Sequence, residues 1–348
     1  MSVWLPRAPC MRGTCVEATG SAAAAPRAVL RLTALALLIL AAVALTPLAR
    51  RIPAAWTRRW CRAVVRAAGV RVRVTGAAAP SGGLLLVANH VSWLDVPLLA
   101  AVRPARMLAK AEIRRWPVAG PLAARGGALF IERDRLRALP QTVDRIARAL
   151  RSGDAVAAFP EGSTWCGRAE GRFHRAVFQA ALDAGAPVQP VRIRYRTPGG
   201  GASTVPAFVG DDSLLASLWR VASARALLAE VEVRPVIPPG AHPDRRALAR
   251  AARSAAAAGP HRTHACAADA APPAAGGGRV RPRGSDAAHG VQRLGVGARP
   301  VEQRGAAEVP HRGAVDGLAA GQEAALAGRV EAQVHPDVVD RDGGVVVA

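Results

Sequence analysis

The sequence predicts an α/β domain with a central sheet, preceded by a membrane helix and followed by a disordered tail. Three observations lead to this prediction. Between residues 70 and 258, short apolar runs alternate with helix-like stretches, which is typical of α/β domains. Before the domain, residues 32–49 contain no charged side chain. After residue 259, the chain contains no Phe, Trp, Tyr or Ile.

Residues 1–29 are predicted to be a disordered leader, and residues 30–69 a membrane anchor followed by an interfacial helix. The run 32–49 is near the short end of the about 17–25 residues with which a helix crosses a bilayer. A signal peptide and a buried helix are the alternatives. Trp56 and Trp60 lie at helical spacing among arginines, which suits either an anionic membrane interface or a solvated amphipathic helix. The arginines after the anchor indicate that the following chain is cytoplasmic.

Residues 70–258 are predicted to form an α/β domain, long enough for one hydrophobic core. Its strands are predicted at residues 70–75, 84–88, 128–131, 155–159, 188–195 and 231–237. Its helices are predicted at residues 136–151, 175–184, 214–228 and 243–258.

Residues 259–348 are predicted to be a disordered, low-complexity tail. From residue 260 onward the chain carries as many acidic as basic residues and shows no sustained periodicity. Such a composition buries too little apolar surface to offset the chain entropy. The abrupt loss of aromatic residues also suggests, as a hypothesis, the product of a shifted reading frame.

The formal net charge of +22, from 47 basic and 25 acidic residues, favours an anionic partner. A nucleic-acid-binding protein is disfavoured, because aromatic residues are few and arginines flank the apolar run. The five cysteines include no pair at CxxC spacing. Their spacing therefore predicts neither a zinc site nor a disulfide framework.

His90 and Asp95 are the candidate catalytic pair. His90 follows the predicted strand 84–88, and Asp95 comes five residues later. On one continuous helix these two positions would point roughly 140° apart, so a turn must join them, with Asp95 near the start of the next helix. A carboxylate bonded to one imidazole nitrogen fixes the tautomer and strengthens the other nitrogen as a base. For an isolated pair, a capping aspartate beside a structural histidine is the alternative.

Three more segments are predicted to place polar residues at the ends of strands: GALFIER at 127–133, FPEGS at 159–163 and VQPV at 188–191. Such strand ends build the sites of α/β sheets. Taken singly, Arg133 fits a surface ion pair equally well, and Glu161 with Gly162 fits a plain turn.

With the segment Asn89–Asp95, these segments resemble the four ordered motifs of the 1-acylglycerol-3-phosphate acyltransferase family, which comprises membrane glycerolipid acyltransferases. The family motifs are NHxxxxD, GxxFIxR, FPEG followed by Thr or Ser, and a V-x-P-V-like element. His174 stands where the family often has Lys. The resemblance implies a glycerolipid-acyltransferase-like mixed sheet flanked by helices.

The resemblance also implies a reaction. A fatty acyl group moves from acyl-CoA or acyl carrier protein to the free hydroxyl of a lysophospholipid, with 1-acylglycerol-3-phosphate giving phosphatidic acid as the main expectation. His90 and Asp95 are expected to be catalytic. The expected substrate-binding residues are Asn89, Gly127, Phe130, Arg133, Glu161, Gly162 and Ser163. The alternatives are another lysolipid acceptor, such as lyso-ornithine lipid, and a non-catalytic, membrane-tethered lipid binder.

No metal or redox cofactor is implied. The expected partners are the lysophospholipid, the acyl donor and the lipid bilayer, with no nucleic acid. The expected location is a bacterial inner membrane, with the catalytic domain on the cytoplasmic side.

Overall fold

The computed structural model describes residues 8–19, 22–79, 81–133, 135–257 and 345–346. They belong to one compact unit, Met1–Ala271 with Asp337–Ala348, whereas the second unit, Pro272–Pro336, lies outside the described residues. The predicted disorder of residues 259–348 therefore also lies outside them, except at Val345–Val346. These two residues form a strand beside Val70–Thr75, an ordered contact that the prediction did not include.

The described chain alternates helices and strands in the predicted manner. Its α-helices are α1 (Arg12–Cys15), α2 (Ala25–Leu45), α3 (Ala54–Ala67), α4 (Asp95–Val102), α5 (Ala119–Arg125), α6 (Leu139–Arg151), α7 (Ala176–Ala184), α8 (Leu214–Ser223) and α9 (Arg245–Ala257). Its strands are β1 (Val70–Thr75), β2 (Leu84–Ala88), β3 (Arg106–Lys110), β4 (Leu129–Ile131), β5 (Ala155–Ala158), β6 (Val188–Arg196), β7 (Leu227–Val233) and β8 (Val345–Val346).

The strands form one mixed sheet in the order β4-β3-β5-β2-β6-β7-β1-β8. The neighbours from β4 to β6 run parallel, as do β7 and β1, whereas β6 and β7 run antiparallel. Parallel strands place their carboxyl ends at one edge of a sheet, where α/β folds assemble their sites. Strands β2, β4 and β5 therefore bring three of the sequence motifs to the same edge, whereas the fourth motif, at residues 188–191, begins β6 and pairs along β2.

The central strand β2 separates two hydrophobic layers. Its residues are all buried, and successive side chains of a strand point to opposite faces. Leu84 and Leu86 pack into the layer that contains residues of α3 and α4, whereas Leu85 and Val87 pack into the layer that contains residues of α6, α7 and α9. The sheet is thus covered by helices on both faces, which holds the strand ends rigidly.

The structure corrects two predictions in the sheet. Strand β3 was not predicted, because Arg106–Lys110 lacks a continuous apolar run. Strand β7 covers residues 227–233 rather than 231–237, and the preceding helix ends at Ser223 rather than at residue 228. The segment 227–233 alternates buried and half-buried residues, and its Glu230 bonds to Arg196 of the antiparallel neighbour β6 at 2.6 Å. The period of two and these cross-strand charges favour a strand.

The structure also corrects the predicted disorder of residues 1–29. The described part of this region packs against the domain: Cys10 and Cys15 are buried, and the backbone N–H of Glu17 donates to Thr204 Oγ1 at 3.0 Å. The apolar helix begins at Ala25, so it also extends into the predicted leader. A leader of mixed composition becomes ordered here because the domain supplies a surface for it.

Residues Ala25–Leu48 form a segment long and apolar enough to cross a membrane. The side chains of Leu37, Leu40 and Leu45 on this segment are exposed. At its N-terminal end, Arg27 and Arg31 donate hydrogen bonds to backbone oxygens at the end of α8. In its middle, Leu35 is buried and the Trp60 indole N–H donates to the Leu38 carbonyl oxygen at 3.2 Å. The segment therefore packs on the domain along one side and presents apolar side chains on the other.

Candidate active site

The structure brings His90 and Asp95 together as the sequence predicts. The Nδ1 atom of His90 lies 2.8 Å from Oδ2 of Asp95. The Asp95 side chain is fully buried, whereas the His90 side chain is about one-fifth exposed, at 21%. The carboxylate thus orients the imidazole by one nitrogen and leaves Nε2 for a substrate.

A tight turn between β2 and α4 creates this contact. Asp95 is the first residue of α4, and its Oδ2 accepts the backbone N–H groups of Val91 at 2.6 Å and Ser92 at 2.8 Å. Asn89 ties the turn to β6, since its side chain exchanges two hydrogen bonds with the backbone of Ile193 at 2.9 and 2.8 Å. Asn89 therefore positions the loop through the neighbouring strand.

Tyr195 is a site residue that the sequence analysis missed. Its hydroxyl donates to Asp95 Oδ1 at 2.6 Å, and burial is the main reason that its pKa lies well above the ordinary range. The hydroxyl therefore stays protonated and serves as a donor to the carboxylate. The sequence gave a partial indication of this residue. Tyr195 is the sole tyrosine of the chain and lies on the predicted strand that contains the fourth motif.

Glu161 lies beneath the histidine and is buried. Its Oε2 accepts the backbone N–H of His90 at 2.7 Å, and its Oε1 accepts that of Gly171 at 2.7 Å. The ring of Phe159 stacks on the imidazole, with centroids 4.0 Å apart and planes inclined by 11°. Glu161 and Phe159 thus fix the backbone and the ring plane of His90 from the end of β5.

Burial raises the pKa of Glu161 to about 8, although its two backbone donors act to lower it. The ordinary pKa of a glutamate is about 4.3, so between these pH values the folded protein holds a proton that the unfolded chain has released. The free energy of unfolding should therefore fall as the pH rises through this range. We expect a smaller fall in Glu161→Gln, measured by chemical denaturation of the detergent-solubilised protein.

Glu132→Gln is the matched control, because the Glu132 side chain is half exposed. Its slope of unfolding free energy against pH should equal that of the wild type. Glutamine has a single acceptor oxygen, so Glu161→Gln starts from a lower stability, and the slopes rather than the absolute values are compared. Equal slopes in all three proteins would contradict a protonated Glu161.

Arg133 extends the site from the end of β4 towards the loop that carries Glu161. Its guanidinium donates to the carbonyl oxygen of Gly162, so these two predicted residues meet. Ser163 follows in the same loop and is half-buried. The positive charge of Arg133 contributes, after desolvation, to lowering the pKa of both Lys110 and His174. These groups therefore surround one strongly positive region.

The other two predicted binding residues have framework contacts. The carbonyl oxygen of Gly127 accepts a hydrogen bond from Arg106 Nε at 2.8 Å. Phe130 is buried, with the Arg114 guanidinium 4.6 Å from the centre of its ring. The structure thus places Gly127 and Phe130 in the support of β4, whereas the Arg133 side chain reaches the loop that carries Glu161.

Loops from elsewhere in the chain close around the dyad. The backbone N–H of Trp165 donates to the carbonyl oxygen of His90 at 2.7 Å, and that of Phe208 donates to Val91 at 2.9 Å. Thr164 in turn bonds to the backbone oxygen of Phe208. The site thus has a histidine base, a buried carboxylate partner and an adjacent cationic region, which suits proton removal from a substrate that carries an anionic group.

Comparison with known proteins agrees with this arrangement. The family model described as Acyltransferase matches residues 71–194. The chain is similar to the lyso-ornithine lipid O-acyltransferase of Pseudomonas aeruginosa, with 42% identity over 212 residues, covering 60% of this chain and 78% of that protein. It is also similar to the 1-acyl-sn-glycerol-3-phosphate acyltransferase of Neisseria meningitidis serogroup B, with 36% identity over 189 residues, covering 54% and 73% of the two chains.

Among solved structures, the chain is similar to the 1-acyl-sn-glycerophosphate acyltransferase PlsC from Thermotoga maritima, with 19% identity and a TM-score of 0.44 over 57% of this chain and 75% of that one. The sequence relationships are much closer. With the family model matched and 78% of the Pseudomonas aeruginosa protein aligned at 42% identity, the chain belongs to the acyltransferase family.

Proposed function

We propose that this acyltransferase moves a fatty acyl group from a thioester donor to the free hydroxyl of a lysophospholipid, with His90 as the general base. The observation that carries the proposal is the 2.8 Å contact between His90 Nδ1 and the buried Asp95 carboxylate, beside the cationic region at Arg133. The contact at Nδ1 orients the imidazole ring, so that its Nε2 atom is available for the acceptor hydroxyl.

The reaction follows from these groups. His90 Nε2 takes the hydroxyl proton as the acceptor oxygen bonds to the thioester carbonyl carbon. The tetrahedral intermediate then expels the thiolate as the carbon–sulfur bond breaks, and the imidazolium returns the proton to that sulfur. Asp95 stabilises the positive imidazole between the two steps. The acyl chain ends as an oxygen ester, and the donor ends as a free thiol.

The proposed acceptor is 1-acylglycerol-3-phosphate, which yields phosphatidic acid. Arg172, Arg175 and Arg133 all lower the pKa of His174 by their charge, after the effect of desolvation. A phosphate monoester carries about −1.5 to −2 charges at neutral pH, and a planar guanidinium pairs with it in a bidentate manner. The neutral acceptor hydroxyl then lies at His90 while Arg133 holds the phosphate.

A second acceptor, a lyso-ornithine lipid, is favoured by the 42% identity with the Pseudomonas aeruginosa lyso-ornithine lipid O-acyltransferase. The two acceptors differ in charge, since ornithine carries both an amine and a carboxylate. The test supplies the purified protein with equimolar lysophosphatidate and lyso-ornithine lipid and identifies the products by mass spectrometry. A majority of phosphatidate supports the main proposal, and a majority of ornithine lipid replaces it with the second.

The proposed donor is acyl-CoA or acyl carrier protein, and the proposed transfer uses no cofactor at the reacting atoms. The proposed site of action is the cytoplasmic face of a bacterial inner membrane. Membrane association is supported by the apolar segment Ala25–Leu48, by the exposed Trp56 on α3 and by the exposed Leu215 and Trp219 on α8.

Replacement of Arg133 by lysine should raise the KM for lysophosphatidate by about tenfold, because lysine keeps the charge but loses the bidentate fork. The KM for the acyl donor should not change. Steady-state kinetics with each substrate varied in turn measures both values. Arg135→Lys is the control, since the Arg135 side chain is 77% exposed and pairs with Glu132. An unchanged acceptor KM in Arg133→Lys would remove Arg133 from phosphate binding.

Replacement of Tyr195 by phenylalanine should lower both the stability and the rate. A buried carboxylate that loses a hydrogen-bond donor costs about 1–3 kcal/mol of unfolding free energy. Because the carboxylate then holds His90 less firmly, we expect kcat to fall by up to about tenfold, equivalent to 1.36 kcal/mol, with an unchanged acceptor KM. Reduced stability with an unchanged kcat would assign Tyr195 to folding alone.

A further inference from the structure

Three buried thiols meet on the side of the domain where the N-terminal segment docks. Cys10 and Cys15 lie at the two ends of the segment that contains α1, and Cys166 lies in the loop after β5. Their sulfur atoms are all within 4.8 Å of one another, and each residue is at most 6% exposed. The spacing of the cysteines along the sequence gave no sign of this cluster, because Cys166 is far from the other two.

Specific contacts on both sides of the cluster hold these thiols in place. The carboxylate of Glu17 pairs with Arg168 at 2.9 Å, two residues beyond Cys166. The Thr14 hydroxyl lies 3.6 Å from the Cys15 sulfur. Because the pair of Glu17 and Arg168 joins the same two segments as the thiols, the convergence of the thiols belongs to a defined docking of residues 8–19 on the loop.

We propose that Cys10, Cys15 and Cys166 bind a Zn²⁺ ion. Zinc–sulfur bonds of about 2.3 Å in a tetrahedral site place the sulfurs about 3.8 Å apart, so a contraction of less than about 1 Å brings the cluster to that geometry. Soft thiolates select zinc over magnesium or calcium. Binding displaces the three thiol protons to solvent, and a water molecule takes the fourth position.

The ion would fasten the N-terminal segment to a loop that supports the dyad. Trp165, next to Cys166, donates its backbone N–H to the carbonyl oxygen of His90 at 2.7 Å. Glu161, earlier in the loop, accepts the N–H of His90. The zinc is therefore structural, and its presence does not depend on the acceptor or on the proposed reaction.

The experiment measures the metal content of the full chain, purified in detergent with a thiol reductant and without chelator. Inductively coupled plasma mass spectrometry should find about one zinc per chain in the wild type. The zinc content should fall at least tenfold in Cys10→Ala, Cys15→Ala and Cys166→Ala. Cys61→Ala is the matched control, because Cys61 is also buried, and burial raises the pKa of its thiol to about 12; this variant should keep its zinc.

A second measurement on the wild-type protein avoids any dependence on the folding of variants. Replacement of zinc by Co²⁺ should produce the near-ultraviolet thiolate-to-cobalt charge-transfer absorption of a tetrahedral thiolate site, and added zinc should abolish it. Absence of both zinc and the cobalt absorption would overturn the proposal, and so would equal zinc in Cys166→Ala and Cys61→Ala. A disulfide between two of the three cysteines in the purified, metal-free protein would overturn it as well.

Discussion

Replacement of His90 by alanine is expected to lower kcat for acyl transfer by about 10²–10⁴-fold, the usual contribution of a general base. In the proposed mechanism the imidazole takes the acceptor proton, and neither of its two ring neighbours can replace it: Phe159, which stacks on the ring, is apolar, and Asp95 is fully buried. Release of thiol from acyl-CoA in the presence of lysophosphatidate measures the rate.

Folding and membrane association should persist in this variant, because the His90 side chain is partly exposed and its main-chain contacts do not need the ring. His242→Ala, in the loop before α9, is the control and should keep the wild-type rate. Near-normal activity of His90→Ala with both substrates saturating would show that the proton is removed by another group.

Replacement of Asp95 by asparagine is the second change with a large expected effect. The amide fits the site, since its oxygen accepts from Val91 and Ser92 and its nitrogen donates to the Tyr195 hydroxyl, which accepts as well as donates. The amide oxygen in this position can still accept the Nδ1 proton of His90, but the negative charge is lost, so the imidazolium of the proposed reaction is no longer stabilised. We expect kcat to fall by about 10²-fold or more, towards the loss of about 10⁴-fold known for such a change in a serine protease.

The acceptor KM of Asp95→Asn should stay near that of the wild type, because Asp95 does not touch the substrate in the proposed mechanism. The unfolding free energy, measured in parallel, separates a charge effect from a packing effect. Asp144→Asn, on the exposed face of α6, serves as the control. A wild-type kcat in Asp95→Asn would leave the carboxylate with the role of a helix and turn cap.

Much of the fold was predictable because the local signals agree with the tertiary structure. The strands at 70–75 and 84–88 are confirmed to the residue: the first alternates valine with polar residues, and the second is a continuous apolar run. Strand β3 escaped prediction because its position comes from pairing with β4 and β5 on either side rather than from its own composition. Strand β7 was predicted too far along the chain, because residues 214–228 resemble one continuous helix and hide the break after Ser223.

A contact in the site was predictable where both side chains belong to one short motif, as His90 and Asp95 do. It was not predictable where the partner comes from a distant strand. Tyr195 reaches Asp95 across 100 residues of sequence, and Glu161 reaches the backbone of His90 across 71; these contacts arise from the parallel pairing of β2 with its neighbours. The same reason hid the meeting of Cys166 with Cys10 and Cys15.

The most direct test of the central claim is the product formed by the purified protein from isotopically labelled lysophosphatidate and acyl-CoA, identified by mass spectrometry. The proposed mechanism predicts labelled phosphatidate whose mass equals that of the acceptor plus one acyl group, formed by the wild type and nearly absent with His90→Ala under the same conditions. Failure of the wild type to form labelled phosphatidate, or equal amounts of labelled phosphatidate from the two proteins, would contradict it.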